Sequence, residues 1–112
     1  MVDQLHSIER LEEVLEAPRV LVYKHSTRCG LCTRTIREVE AFAEKFPDAR
    51  IELVDVLVDR SVSDAIETRL GVHHESPQAI LVEGGKAIHH ASHRGVSAAR
   101  LAIWWEGDDS DS

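Results

Sequence analysis

A chain of 112 residues, 43% hydrophobic and 29% charged, is long enough to bury one core without disulfide or metal staples, as an ordinary soluble globular domain does. Its net charge of −7 argues against a nucleic-acid partner, which needs a basic face. The opening Met1-Val2-Asp3-Gln4-Leu5-His6 leads into no apolar secretory core and no run is long enough to cross a bilayer, so a cytoplasmic location is expected, where a lone cysteine pair is catalytic more often than structural.

In chain order, Ser7 can cap a first helix with Ile8, Leu11, Val14 and Leu15 on one face, stopped by Pro18 after Ala17. Val20-Leu21-Val22-Tyr23 lacks polar alternation and predicts a strand buried on both faces. Lys24 to Arg28 form the loop into Thr27-Arg28-Cys29-Gly30-Leu31-Cys32-Thr33. From Cys29 to about Lys45 a second helix is predicted, because Cys32, Ile36, Val39, Ala43 and Phe46 recur at helical spacing while Arg34, Arg37, Glu38, Glu44 and Lys45 face outward. Pro47-Asp48 ends it, and the apolar run from Ile51 to Val58 predicts a second strand.

Ser61 to Leu70 read as a short helix with a capping box of Ser61 and Asp64 and a stop at Gly71. Ala79 to Val82, the turn Glu83-Gly84-Gly85-Lys86, and Ala87 to Ala91 predict a β-hairpin. Ser97 starts a last helix carrying Leu101, Trp104 and Trp105. Residues 1–106 form one expected domain, and the acidic stretch 107–112 reads as a disordered tail. The sum is an α/β domain with a four-stranded mixed sheet covered on both faces.

The chemistry concentrates at Cys29 and Cys32. Two thiols at this spacing at a helix start can close a small disulfide ring, and the unpaired N–H groups there stabilise a thiolate on the first sulfur. Cys29 is the expected nucleophile, facing solvent, with Cys32 one turn deeper on the packed face. Such sites lower a thiol from about 8.5 into a range of roughly 3.5 to 7.5. Arg28 is expected to add positive charge, and His25 either to join it or to be a solvated loop histidine. Two inert buried thiols, or half of a metal site, remain the alternatives.

The element order, with Cys-x-x-Cys opening the second helix and a proline before the hairpin, resembles the thioredoxin fold. Lys24-His25-Ser26-Thr27-Arg28-Cys29, His74-Glu75-Ser76-Pro77-Gln78 and Ala91-Ser92-His93-Arg94 are similar to the bacilliredoxin (YtxJ-like) branch of that superfamily. The resemblance implies reduction of mixed disulfides between proteins and bacillithiol. Family members usually carry one active cysteine followed by Pro-Ile-Ser, so Cys29 matches the attacking residue and Cys32 stands in place of the serine; either Cys32 resolves the Cys29 adduct, the route its spacing favours, or a second bacillithiol does. Tyr23 occupies the strand position of a buried Asp in thioredoxins.

The resemblance further implies a cis Ser76–Pro77 bond that sets the Ser76 backbone beside Cys29, with Thr27, Arg28, Ser76, Pro77, His93 and Arg94 as substrate-binding residues. Arg28, His93 and Arg94 are expected to form a basic rim for the malate carboxylates of bacillithiol. Neither a metal nor a resident cofactor is expected: His73-His74 and His89-His90, extended, each point one ring to either face. Bacillithiol is the expected co-substrate, thiolated or disulfide-bonded proteins the partners, and a flavin disulfide reductase a further one. Two other readings stand beside this, a general thioredoxin-like dithiol reductase and a non-catalytic redox-sensing module that docks a partner near Leu31.

Overall fold

The structure is a computed structural model describing residues 2–26 and 30–107, except for the side chain of Leu31. The chain runs β1 (Val2–Gln4), α1 (Ile8–Leu15), β2 (Arg19–His25), α2 (Gly30–Lys45), β3 (Ile51–Asp55), α3 (Arg60–Leu70), β4 (Gln78–Glu83), β5 (Lys86–Ser92), a 3-10 turn at His93–Gly95, and α4 (Ala98–Glu106). The sheet order is β1-β3-β2-β4-β5. β3 lies parallel to both β1 and β2, while β4 runs antiparallel to β2 and β5.

Alternation along the strands sorts the core into two layers. Leu21 and Tyr23 of β2 face Val39, Phe42 and Leu101 of α2 and α4. Val20 and Val22 point the other way, onto Leu11, Val14, Val62 and Ile66 of α1 and α3. A strand with helices on both sides needs apolar residues at successive positions, which is why β2 reads as an unbroken hydrophobic run. Each such side chain, fully buried, contributes about 1.5–3 kcal/mol.

The sheet has five strands rather than the expected four. β1 pairs Val2 with Ile51 and Gln4 with Leu53, and its three residues, with Asp3 and Gln4 exposed, carry no readable period. The second apolar run leaves the sheet at Asp55 rather than Val58, because Asp55 Oδ1 accepts the N–H groups of Leu57 (2.9 Å) and Val58 (3.1 Å) and turns the chain outward. Leu57 and Val58 are consequently 50% and 74% exposed.

The expected capping box does not form. Asp59 is the N-cap of α3 and makes no side-chain cap bond; its Oδ2 instead accepts from His6 Nδ1 at 2.8 Å. Ser7 and Ser97 do cap α1 and α4, accepting from Arg10 N and Arg100 N. The expected tail opens on a structural residue: Gly107, in the left-handed region at φ 71°, closes α4. Residues 108–112 lie outside the described residues. In the hairpin, Gly84 (φ 59°) and Gly85 (φ 79°) supply the two positive φ values that a tight two-residue connection requires.

Strand direction gathers the remaining parts at one end of the sheet. The C-terminal ends of β2, β3 and β5 meet the N-terminal end of β4 there.

Candidate thiol-redox site

β2 delivers the chain through His25 and buried Ser26 to Thr27, Arg28 and Cys29, three expected site residues that lie outside the described residues. α2 begins at Gly30, the residue after Cys29, and has no acidic side chain in its first turn. Nothing in that turn therefore opposes an anion at the helix N-terminus. Cys32 is 1% exposed and lies on the helix face shared with Thr35, Val39 and Phe42.

The second expected element comes from the loop before β4. The Ser76–Pro77 peptide is cis, and Pro77 is buried. Its carbonyl accepts from His93 N at 2.9 Å, which ties the loop to the end of β5. His93 has φ 54°, and its Nδ1 lies 3.5 Å from Glu75 Oε1. Ser76, Pro77 and His93 are thus brought together. Arg94 is exposed and helps line a notch of about 20 Å³ with Arg34, Glu38 and His93.

Several residues take structural roles here that no sequence pattern assigned to them. Lys24 and His25 are the last residues of β2 rather than part of a loop. Lys24 is 0% exposed, and its Nζ lies 3.1 Å from His74 Nδ1. Glu67 Oε2 accepts from His74 N at 2.8 Å, Gln78 Nε2 donates to His73 O at 2.9 Å, and Ser63 Oγ is 3.4 Å from His74 Nδ1. Side chains from β2, α3 and β4 therefore pin the segment that leads into Ser76–Pro77. The available signal was a lysine directly continuing an apolar strand, a position that demands a specific partner.

Burial pushes the Lys24 ammonium below the usual lysine range, with Glu67 and Asp64 pulling the other way. Burial, and after it the Lys24 charge, hold His74 below the ordinary imidazole value against the pull of Glu67 and Asp64. His25 is also lowered, chiefly by burial and against Asp55, and its Nδ1 lies 3.3 Å from Tyr23 Oη. Burial thus works against the positive charge that His25 was expected to add to the motif. His89 stacks on Trp104, with ring centroids 5.4 Å apart, while His90 is exposed.

A family model described as Monothiol bacilliredoxin BrxC matches residues 3–101. The chain belongs to the monothiol bacilliredoxin family. Its fold is the thioredoxin fold. A solved structure described as a candidate oxidoreductase with a thioredoxin fold superposes with a TM-score of 0.84 at 29% identity, over 90% of each chain. Thioredoxin from Trypanosoma brucei brucei gives 0.79 at 18% identity, over 96% of this chain and 89% of that one. The oxidised thioredoxin from Plasmodium falciparum gives 0.75 at 17% identity, over 96% and 97%. Bacilliredoxin membership and this fold support a thiol-redox role. Among the described residues, no helix is long and apolar enough to cross a membrane.

Proposed function

We propose that the chain is a thiol-disulfide oxidoreductase that removes bacillithiol from proteins, with Cys29 as nucleophile and Cys32 as resolving thiol. The observation that carries the bacillithiol half of this reading is the family match across residues 3–101, which spans the start of α2 and the cis Ser76–Pro77 loop; that family is described as monothiol, so the resolving role of Cys32 is supported by the Cys-x-x-Cys spacing of this sequence instead. Cys29 directly precedes the first residue of a 16-residue helix whose opening turn holds no acid, so the helix dipole favours its thiolate.

The Cys29 thiolate attacks the bacillithiol sulfur of the mixed disulfide. A Cys29–bacillithiol disulfide forms, the protein–bacillithiol bond breaks, and the protein leaves as a thiolate that takes up a proton. Cys32, as thiolate, then attacks Cys29 sulfur, expelling bacillithiol and leaving a Cys29–Cys32 disulfide. Two electrons from a disulfide reductase of the flavin class restore the dithiol. Three residues away in the sequence, Cys32 has a large effective concentration over a second free thiol. The Ser76 backbone is assigned to pairing with the substrate chain, and Thr27, Arg28, Pro77, His93 and Arg94 to lining its approach. The setting is a reducing, cytoplasmic one, and the partners are thiolated or disulfide-bonded proteins.

Intact-mass spectrometry after reaction with a bacillithiolated protein tests the assignment. Cys32→Ser should accumulate the Cys29 adduct, wild type should finish as the internal disulfide, and Cys29→Ser should be inert. Equal adduct in wild type and Cys32→Ser would refute the resolving role. Faster reduction of a plain protein disulfide than of the bacillithiol mixed disulfide would instead favour a general dithiol reductase, to which the Cys29/Cys32 spacing is equally suited.

A further inference from the structure

Beside the cis-proline loop lies a cleft of about 370 Å³, lined by Val56, Leu57, Arg60, Ser63, Asp64 and His74. Small-molecule sites begin at roughly 300 Å³. The notch at His93 and Arg94 encloses about 20 Å³, space for little more than one water. Volume therefore separates two surfaces that both carry an arginine at the motif end of the sheet.

The position of the cleft is set by two contacts. Val56 N donates to His25 O at 2.9 Å, so one wall adjoins the strand end that leads to Cys29. Another part of the wall is His74, two residues before Ser76, fixed by its contacts with Lys24 and Glu67. The wall is thus fixed before any ligand arrives, which spares the ordering cost of binding.

Charge is available in the cleft. Arg60 and Asp64 lie four residues apart on α3. Among the described residues, neither takes part in an ion pair. A guanidinium with free donors matches a carboxylate in two parallel hydrogen bonds, and the Asp64 carboxylate is a ready acceptor for an ammonium. Val56 and Leu57 add apolar wall, and buried Ser63 lies against His74 beneath it. A ligand matched to all of these is a small polar molecule bearing both a carboxylate and an amine.

We propose that this cleft, rather than the His93–Arg94 rim, seats the low-molecular-weight thiol, Arg60 taking a malate carboxylate and Asp64 the cysteinyl ammonium of bacillithiol. The inference rests on the bacillithiol reading above and names where that substrate's polar half sits.

The test is steady-state reduction of two mixed disulfides on the same carrier protein, one of bacillithiol and one of cysteinyl-glucosamine, which lacks the malate. Arg60→Ala should raise the Michaelis constant for bacillithiol roughly tenfold, in keeping with one lost charge-assisted contact, with the change in KM rather than kcat. For cysteinyl-glucosamine it should move KM by less than about twofold, since no carboxylate contact is there to lose. Asp64→Asn should weaken both substrates alike. Lys86→Ala, at the far hairpin turn, is the control that alters neither. Arg60 and Asp64 are exposed, so both variants leave the core intact. An unchanged KM in Arg60→Ala, with wild type active on bacillithiol, overturns the cleft while the proposed function stands. A wild type that ignores both of these disulfides yet reduces a plain one overturns the proposed function, and the cleft assignment with it.

Discussion

Lys24 and His74 show what a single residue does in this molecule. A lysine at 0% exposure costs desolvation, and the imidazole 3.1 Å away offsets part of it while fixing the loop ahead of Pro77. The same burial makes the site sensitive to acid. His25 and His74 are both held below the ordinary imidazole value, so as pH falls the unfolded chain protonates first and binds more protons than the native one. Their contribution is fully present above the unfolded value of about 6.5 and is lost as pH drops through the lower native values. The groups facing them are Asp55 for His25, and Lys24, Glu67, Asp64 and His73 for His74. Melting temperature should therefore decline as pH is lowered from about 7.5 to about 5.5, and His25→Gln with His74→Gln should flatten that decline. An undiminished slope in the double variant would contradict the assignment. Glu12 and Glu67 are also lowered, and their loss comes at a separate, more acidic pH, below about 4.5.

At the scale of elements, local chemistry was legible wherever it stayed local. Ser7 and Ser97 each precede a helical period and each cap it through a hydroxyl, at 3.1 and 3.2 Å. α3 opens at Arg60 after an N-cap at Asp59 that makes no side-chain cap bond; the Asp59 carboxylate pairs instead with His6, 53 residues away, a pairing no periodicity announces. The two kinds of helix start predict different mutational costs. Ser97→Ala should lower unfolding free energy by about 1 kcal/mol, and Ser61→Ala should stay within about 0.5 kcal/mol, measured by urea denaturation. Equal losses would mean that Ser61 caps after all. β1 escaped notice for the opposite reason, being held by pairing to β3 rather than by its own pattern. The cysteine motif and the proline loop were readable as short strings. The Lys24–His74 contact spans 50 residues, and the Arg60–Asp64 cleft is a volume left by packing, which a linear pattern does not encode.

Across the whole molecule, the doubly covered sheet and its parallel β1-β3-β2 arrangement bring the start of α2, the cis-proline loop and the β5 turn to one end. Two apolar layers supply the rigidity there, and the strand ends supply the polar groups. The proposed chemistry requires this end to carry an acidified, accessible thiol at Cys29 backed by a shielded one at Cys32, which is 1% exposed. Its most direct test is the rate of iodoacetamide alkylation of the reduced protein against pH, with the modified residue located by peptide mass spectrometry. Cys29 should be labelled first, with a half-maximal rate well below the value of about 8.5 for an ordinary thiol. Faster labelling of Cys32, or a midpoint at or above that ordinary value, would contradict it.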